Sequence, residues 1–342
     1  MCDRSVLDPH PDSARPGIDS SAERREYTPA HADHHWTPAV AFFLITAALV
    51  AAAEPPIPPF AAGVLRRDGV IVPFAVFDGK SWSARWPKPA LDLTVPTDVG
   101  SVPEKWWGAT GPLVTWFAVI GSAAPQPIKV VQPDWIDVHC MRQIGLHTDY
   151  RSDQLPPPLG EQPYPKDGLA ISPSRPVEPV ANVEPASAEA TAMMAELKDA
   201  FNRAERQPAG KVDHPLSRER REEVDPKIEA VYAHGTEPRV FYVEATREHM
   251  TFGNHDCQTM SFGTGWFVRE NGKFRSLAMA VDAARRDRRG ASYMLPLGVV
   301  RTGTRLFWLV QFSGGIARRY AVIEPKMKRR RRGRERGEGD AQ

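Results

Sequence analysis

Gly63–Trp86 reads GVLRRDGVIVPFAVFDGKSWSARW, three short apolar runs separated by Asp68-Gly69 and Asp78-Gly79. An aspartate–glycine pair accepts the positive φ of a tight hairpin turn, so the stretch predicts strand, turn, strand, turn, strand. Val70–Phe77 is apolar at every position rather than at alternate ones, which predicts a strand covered on both faces. Pro73 inside it lacks an N–H and places that point at a sheet edge or a bulge. The fold expected is mainly β: antiparallel sheets in propeller-like or sandwich-like meanders, with one inserted helix and disordered termini.

The pattern returns near the other end of the chain. Residues 63–79, GVLRRDGVIVPFAVFDG, lie without gaps over 298–314, GVVRTGTRLFWLVQFSG, with Gly63/Gly298, Val64/Val299, Arg66/Arg301, Phe77/Phe312 and Gly79/Gly314 identical. A looser copy is Gly265–Phe274, GWFVRENGKF. Two readings stand open: repeated sheet units, or amphipathic hairpins that share glycine turns and β-branched strands for the same local reasons. The turn Asp78-Gly79-Lys80, with Trp82 beyond it, resembles the Asp-box of sialidase-type propellers, although here the aspartate and glycine are adjacent and the box serine is missing.

Working outward, residues 54–151 form an N-terminal β region. Pro103–Trp107 (PEKWW) suits one helical turn, and Leu113–Ile120 and Ile128–Val131 suit strands. Trp135–Met141 (WIDVHCM) alternates, with Ile136, Val138 and Cys140 on one face and Asp137 and His139 on the other. Residues 152–226 read as a proline-rich linker with at most one short strand, Leu169–Ser172, after the turn Asp167-Gly168. That segment carries a helix over 188–206, capped by Ser187, whose stripe Met193, Leu197 and Phe201 is spaced for a core. Residues 227–325 form a C-terminal β region that begins Ile228–Ala233, turn His234–Pro238, Val240–Ala245.

The compartment turns on Ala39–Ala53, AVAFFLITAALVAAA, which is uncharged and is followed at once by Glu54-Pro55-Pro56. As a helix it would reach roughly 22 Å, short of a hydrocarbon core of about 30 Å, and the prolines forbid extension. A short apolar run closing on small residues predicts a signal peptide cleaved after Ala53; the alternative is an uncleaved single-pass anchor. Residues 1–38 make a poor n-region, because 1–53 holds four arginines against seven acids, and they read as a disordered extension from a start codon assigned too early. The expected location is periplasmic or extracellular, with membrane contact only through 39–53.

The net charge of +2 conceals unlike parts. Residues 326–342, a disordered basic tail, hold eight Lys/Arg against three acids, so 54–325 is neutral and specific nucleic-acid binding is not expected of the body. Cys140 and Cys257 are the only thiols beyond the leader and, in an oxidising compartment, are candidates for a disulfide. The blocks GASYMLPLGVV, LFWLVQFSG and RYAVIEP within 265–325 resemble exported bacterial proteins of unknown function. That resemblance implies export and a mostly β body and brings no catalytic residue.

Candidate chemistry is sparse. Asp137, His139, His147 and Asp149 form one polar cluster, and His255 and Asp256 beside Cys257 another, but no recognised zinc spacing joins them and neither metal nor cofactor is expected. Acid/base hydrolysis would need two carboxylates about 5–9 Å apart, drawn from Asp78, Asp137, Asp149, Glu244 and Asp256. Nucleophile-elbow, P-loop and dinucleotide patterns are missing from the sequence. Trp82, Trp86, Trp106 and Trp107 are candidates for a surface that stacks sugars. The function expected is a non-enzymatic binding or structural role in the envelope or outside the cell, with an envelope glycan or protein as partner. The alternative is a secreted glycan-acting hydrolase using paired carboxylates.

Overall fold

The computed structural model describes residues 56–83, 98–121, 123–138, 141–156, 165–206, 216–249, 259–285, 291–314 and 317–327, all within one compact unit spanning 55–342. It is mainly β, and every pairing between its strands is antiparallel, as expected. The leader, residues 1–38 and residues 328–342 lie outside the described residues.

β1 (Phe60–Arg66) turns into β2 (Val70–Phe77) through Gly69, whose φ of +80° a side chain would resist. β3 (Trp82–Ser83) returns along β2 after Asp78 accepts the amides of Ser81 and Lys80 at 2.7 and 2.9 Å. Those two donors, Ser81 first, hold the Asp78 carboxyl below its ordinary range. One helical turn, α1 (Glu104–Trp107), precedes β4 (Thr115–Val119), β5 (Gln126–Val138), β6 (Met141–Thr148) and β7 (Lys166–Ser172). Pairing runs β1-β7-β4-β5-β6-β2, and β2 pairs back to β1. Six strands therefore close a barrel, and β3 hangs on its β2 wall.

All six strands contribute to one apolar cluster: Ala61 and Leu65, Ile71 and Val76, Trp116 and Ala118, Ile128 and Val130, Ile144 and Leu146, and Ala170. A cluster fed from every strand of a closed ring is the barrel interior. The indoles of Trp106 and Trp107 on α1 fill its remaining volume, 2% and 0% exposed. β2 is buried at all eight positions, as its sequence requires. Pro73 sits opposite Gly63 at a register shift. On its other edge β2 pairs only at Val70 and Ile71 with β6 and at Val76 and Phe77 with β3, so Pro73 interrupts no ladder.

β7 contains the one short strand expected over Leu169–Ser172 but starts three residues earlier, and although it lies inside 152–226, expected to be a linker, it is the strand that closes the barrel. The sequence misled because Asp167-Gly168 has the form of a turn. Here Gly168 is a strand residue passing so close to β4 that a Cβ would lie 2.2 Å from the Val119 carbonyl oxygen. Gly168→Ala is expected to push the two strands apart and lower stability by about 1–3 kcal/mol. Equilibrium urea unfolding measures this, and an unchanged midpoint would refute the close approach.

Beyond β7 the chain builds a second sheet. β8 (Ala181–Asn182) precedes α2 (Ala188–Glu205), α3 (Arg218–Glu222), β9 (Lys227–His234), β10 (Arg239–Glu248), β11 (Thr259–Glu270) and β12 (Lys273–Arg285). The sheet order is β12-β11-β10-β9-β8. Asn271 and Gly272, at φ +52° and +72°, make the two-residue turn between Glu270 and Lys273. Ser187 caps α2 by accepting the Ala190 amide at 3.2 Å, and Met193, Leu197 and Phe201 pack onto Val231, Phe241, Val243 and Phe267. The expected helix is therefore part of the C-terminal core rather than of a connector.

The same face of β10 carries a buried cation. Arg247, 0% exposed, donates to Glu205 Oε2 and Asn202 Oδ1 at 2.6 Å each from the last turn of α2, and its guanidinium lies 4.9 Å from the Phe201 ring centroid. Ser261 on β11 donates to the other Glu205 oxygen, and Arg221 of α3 approaches it at 3.5 Å. Burial pulls the Arg247 pKa below its ordinary value, and Glu205 pulls it back.

β13 (Tyr293–Thr302), β14 (Arg305–Gly314) and β15 (Ala317–Ile323) form a three-stranded sheet between the other two bodies. Leu306, Trp308 and Val310 of β14 face Val240 and Tyr242 of β10. Phe307 and Leu309, on the opposite face, meet the outer wall of the barrel at Val64, Val72, Phe74 and Phe77. The layers thus run α2, five-stranded sheet, three-stranded sheet, barrel. Both stretches aligned in sequence, 63–79 and 298–314, are hairpins with a register shift at the shared glycine. The unpaired residue falls on opposite strands, Phe74 in one and Leu297 in the other.

Candidate functional site

The residues singled out by sequence do not assemble. His139, Cys140, His255, Asp256, Cys257 and Trp86 lie outside the described residues, and of Asp137 only the backbone is placed, on β5. His147 Nε2 lies 3.8 Å from Asp134 Oδ2 across β5 and β6, both side chains some 40% exposed. It does not meet Asp149, which instead accepts the Lys129 amide at 2.8 Å and returns its own amide to the Lys129 carbonyl at 3.0 Å. Among the described residues no group of three or more His, Cys, Asp or Glu is placed to hold a metal ion.

The tryptophans need a correction. Trp106 and Trp107 are not surface rings: an apolar indole pair beside an open barrel end is drawn inside by the area it removes from water. Trp82 is half-buried in an aromatic group with Phe60, Phe77 and Phe307, at centroid separations of 5.0–5.7 Å. Glu244, weighed as a catalytic carboxylate, is 3% exposed between the sheets and accepts the Met294 amide at 2.6 Å.

A groove of about 340 Å³ does exist, between the barrel and β13. Its floor and walls come from Val119, Lys166–Gly168 and Leu295–Leu297, and from the strap of residues 177–180 that leaves the barrel for β8. Its surface is divided about evenly between polar and apolar atoms, and Leu295 is 42% exposed there. Its charged groups are already engaged. Lys166 Nζ donates to Gln311 at 2.8 Å. Asp167 accepts the Tyr150 hydroxyl at 2.9 Å and Arg67 Nε at 3.3 Å. Burial, then the Asp167 hydrogen bond, pushes the Tyr150 phenol up to about 12. Glu178 faces Arg301 at 3.2 and 3.5 Å through its two oxygens, and His234 Nε2 at 3.0 Å.

The outer edge of β13, which borders the groove, is closed to an added strand. The Met294 amide is taken by Glu244, Pro296 has no N–H, and Val299 exchanges both backbone bonds with Glu178 at 2.8 and 2.9 Å. What the groove offers a ligand is therefore mixed polar and apolar side-chain surface rimmed by charged groups that already have partners, not a ladder of amides.

Sequence reasoning missed Asp167, Glu178 and His234. Asp167 and His234 sat in patterns read as turns, and Glu178 in a proline-rich stretch read as linker. The density of charged residues among those prolines was the available signal. Comparison of the chain with protein-family models, with curated proteins and with solved structures finds no match in any of the three.

Proposed function

We propose that this chain is an exported envelope or extracellular β protein with a non-enzymatic binding or structural role, and that the groove beside the strap is its binding surface. The observation that carries this reading is the engagement of the groove's carboxylates. Both oxygens of Asp167 and both of Glu178 already face arginine, tyrosine or histidine, which gives each carboxylate a structural part in the groove wall. A concave groove in which exposed apolar side chains sit beside a few fixed polar groups suits a small ligand. The export half of the proposal rests on Ala39–Ala53 and its small-residue end. Among the described residues no helix is long and apolar enough to cross a membrane.

The glycan-hydrolase reading draws on one observation, that Asp167 and Glu178 line the same groove. The two are separated in one experiment. Cells are fractionated by compartment, the mature N-terminus is determined by mass spectrometry, and the purified protein is incubated with envelope glycans. The expected result is a chain beginning at Glu54 outside the cytoplasm that releases no sugar. Intact chain confined to the cytoplasm overturns export, and sugar release abolished by Asp167→Asn overturns the non-enzymatic role.

A further inference from the structure

His234, at the end of β9, is gripped between two acceptors. Its side chain is 5% exposed; Nδ1 lies 3.0 Å from the Pro179 carbonyl oxygen and Nε2 3.0 Å from Glu178 Oε2. A carbonyl oxygen only accepts, so Nδ1 carries the proton there. A neutral imidazole has no second proton, and Nε2 then turns a lone pair toward a carboxylate oxygen. That atom is fully buried, and its approach to Glu178 is off the line of a directed hydrogen bond. The imidazolium keeps the N–H on the Pro179 oxygen and sets a positive charge 3.0 Å from the Glu178 carboxylate, an ion pair that the neutral ring does not make.

Both oxygens belong to the strap, and the same two residues wall the groove. Glu178 also makes the bridge to Val299 and shares its carboxylate with Arg301 of β13. The Trp308 ring of β14 packs edge-on at 6.2 Å on another side of the imidazole. Arg301 lowers the need of Glu178 for a second cation but, half exposed, is screened by water. Histidine is the side chain whose charge changes between about pH 5 and 8.

We propose that His234 is a proton-operated clamp on the strap: when doubly protonated it fixes the Glu178–Val299 bridge and the groove wall, and on losing a proton it releases one of its two grips. The clamp does not depend on export or on what the groove binds. It is tested on the full chain by amide exchange of Glu178 and Val299 across about pH 5 to 8, expressed as protection over the intrinsic rate. Protection is expected to rise several-fold toward pH 5 in the native protein. In His234→Gln and in Glu178→Gln it is expected to stay flat, with amides of β10 unchanged as the reference. Flat protection in the native chain, or a surviving slope in His234→Gln, overturns the clamp. Should the variants fail to fold, ring ¹⁵N spectra of the native protein decide: protons on both ring nitrogens at the acid end support the clamp, and a neutral form protonated at Nε2 instead of Nδ1 overturns it.

Discussion

Arg247→Ala is expected to lower unfolding stability by about 3–5 kcal/mol, the range found when one partner of a buried pair is removed. The loss comes less from the missing bond than from what stays behind. Glu205, packed beneath the helix end, would keep only Ser261 and the more distant Arg221, and Asn202 would lose its donor. The Phe201 ring would also face a void where the guanidinium now stacks. The double variant Arg247→Met, Glu205→Leu is expected to lose less than the single one, because no charge is stranded. Urea unfolding of the three proteins checks this. A double variant as unstable as the sum of its parts would show that packing of α2, not charge pairing, carries the effect.

Trp107→Ala should cost a comparable amount, about 3–5 kcal/mol, by a different route. The indole fills the interior of a closed ring of strands, and a barrel wall tied by hydrogen bonds on both sides cannot collapse into the space it leaves. Trp107→Phe keeps most of the volume and is expected to cost well under half as much. Thermal unfolding of the pair decides. If alanine and phenylalanine are equally tolerated, Trp107 is not the plug its burial implies.

Much of the local architecture could be read in advance. The eight apolar residues of β2 announced two-sided burial, and Pro73 announced a sheet edge or a bulge, of which the register shift is the outcome. The helix emerged within one residue of its expected end. The likeness of 63–79 to 298–314 also has a physical source in the fold. Each hairpin lies between two covering layers, so each needs apolar residues on both faces and glycine where a register shift falls. What escaped was long-range. Nothing in Lys166–Ser172 says that it pairs with Phe60–Arg66, and nothing near His234 says that a strap folds back on it. Contacts of that kind leave no periodicity, and of β7 only Leu169–Ser172 was legible as strand, its first residues having the form of a turn.

The seam between β1 and β7 has a consequence for the order in which the protein is made. Ala61 meets Ser172, and the outer wall of the same hairpin waits for Phe307 and Leu309. A chain emerging N-terminus first would therefore leave the apolar outer face of that hairpin bare until β14 arrived, long after β7 had closed the barrel. Fragments ending ahead of β13 should precipitate, and productive folding belongs to the finished polypeptide or to one shielded by a holding chaperone on the way.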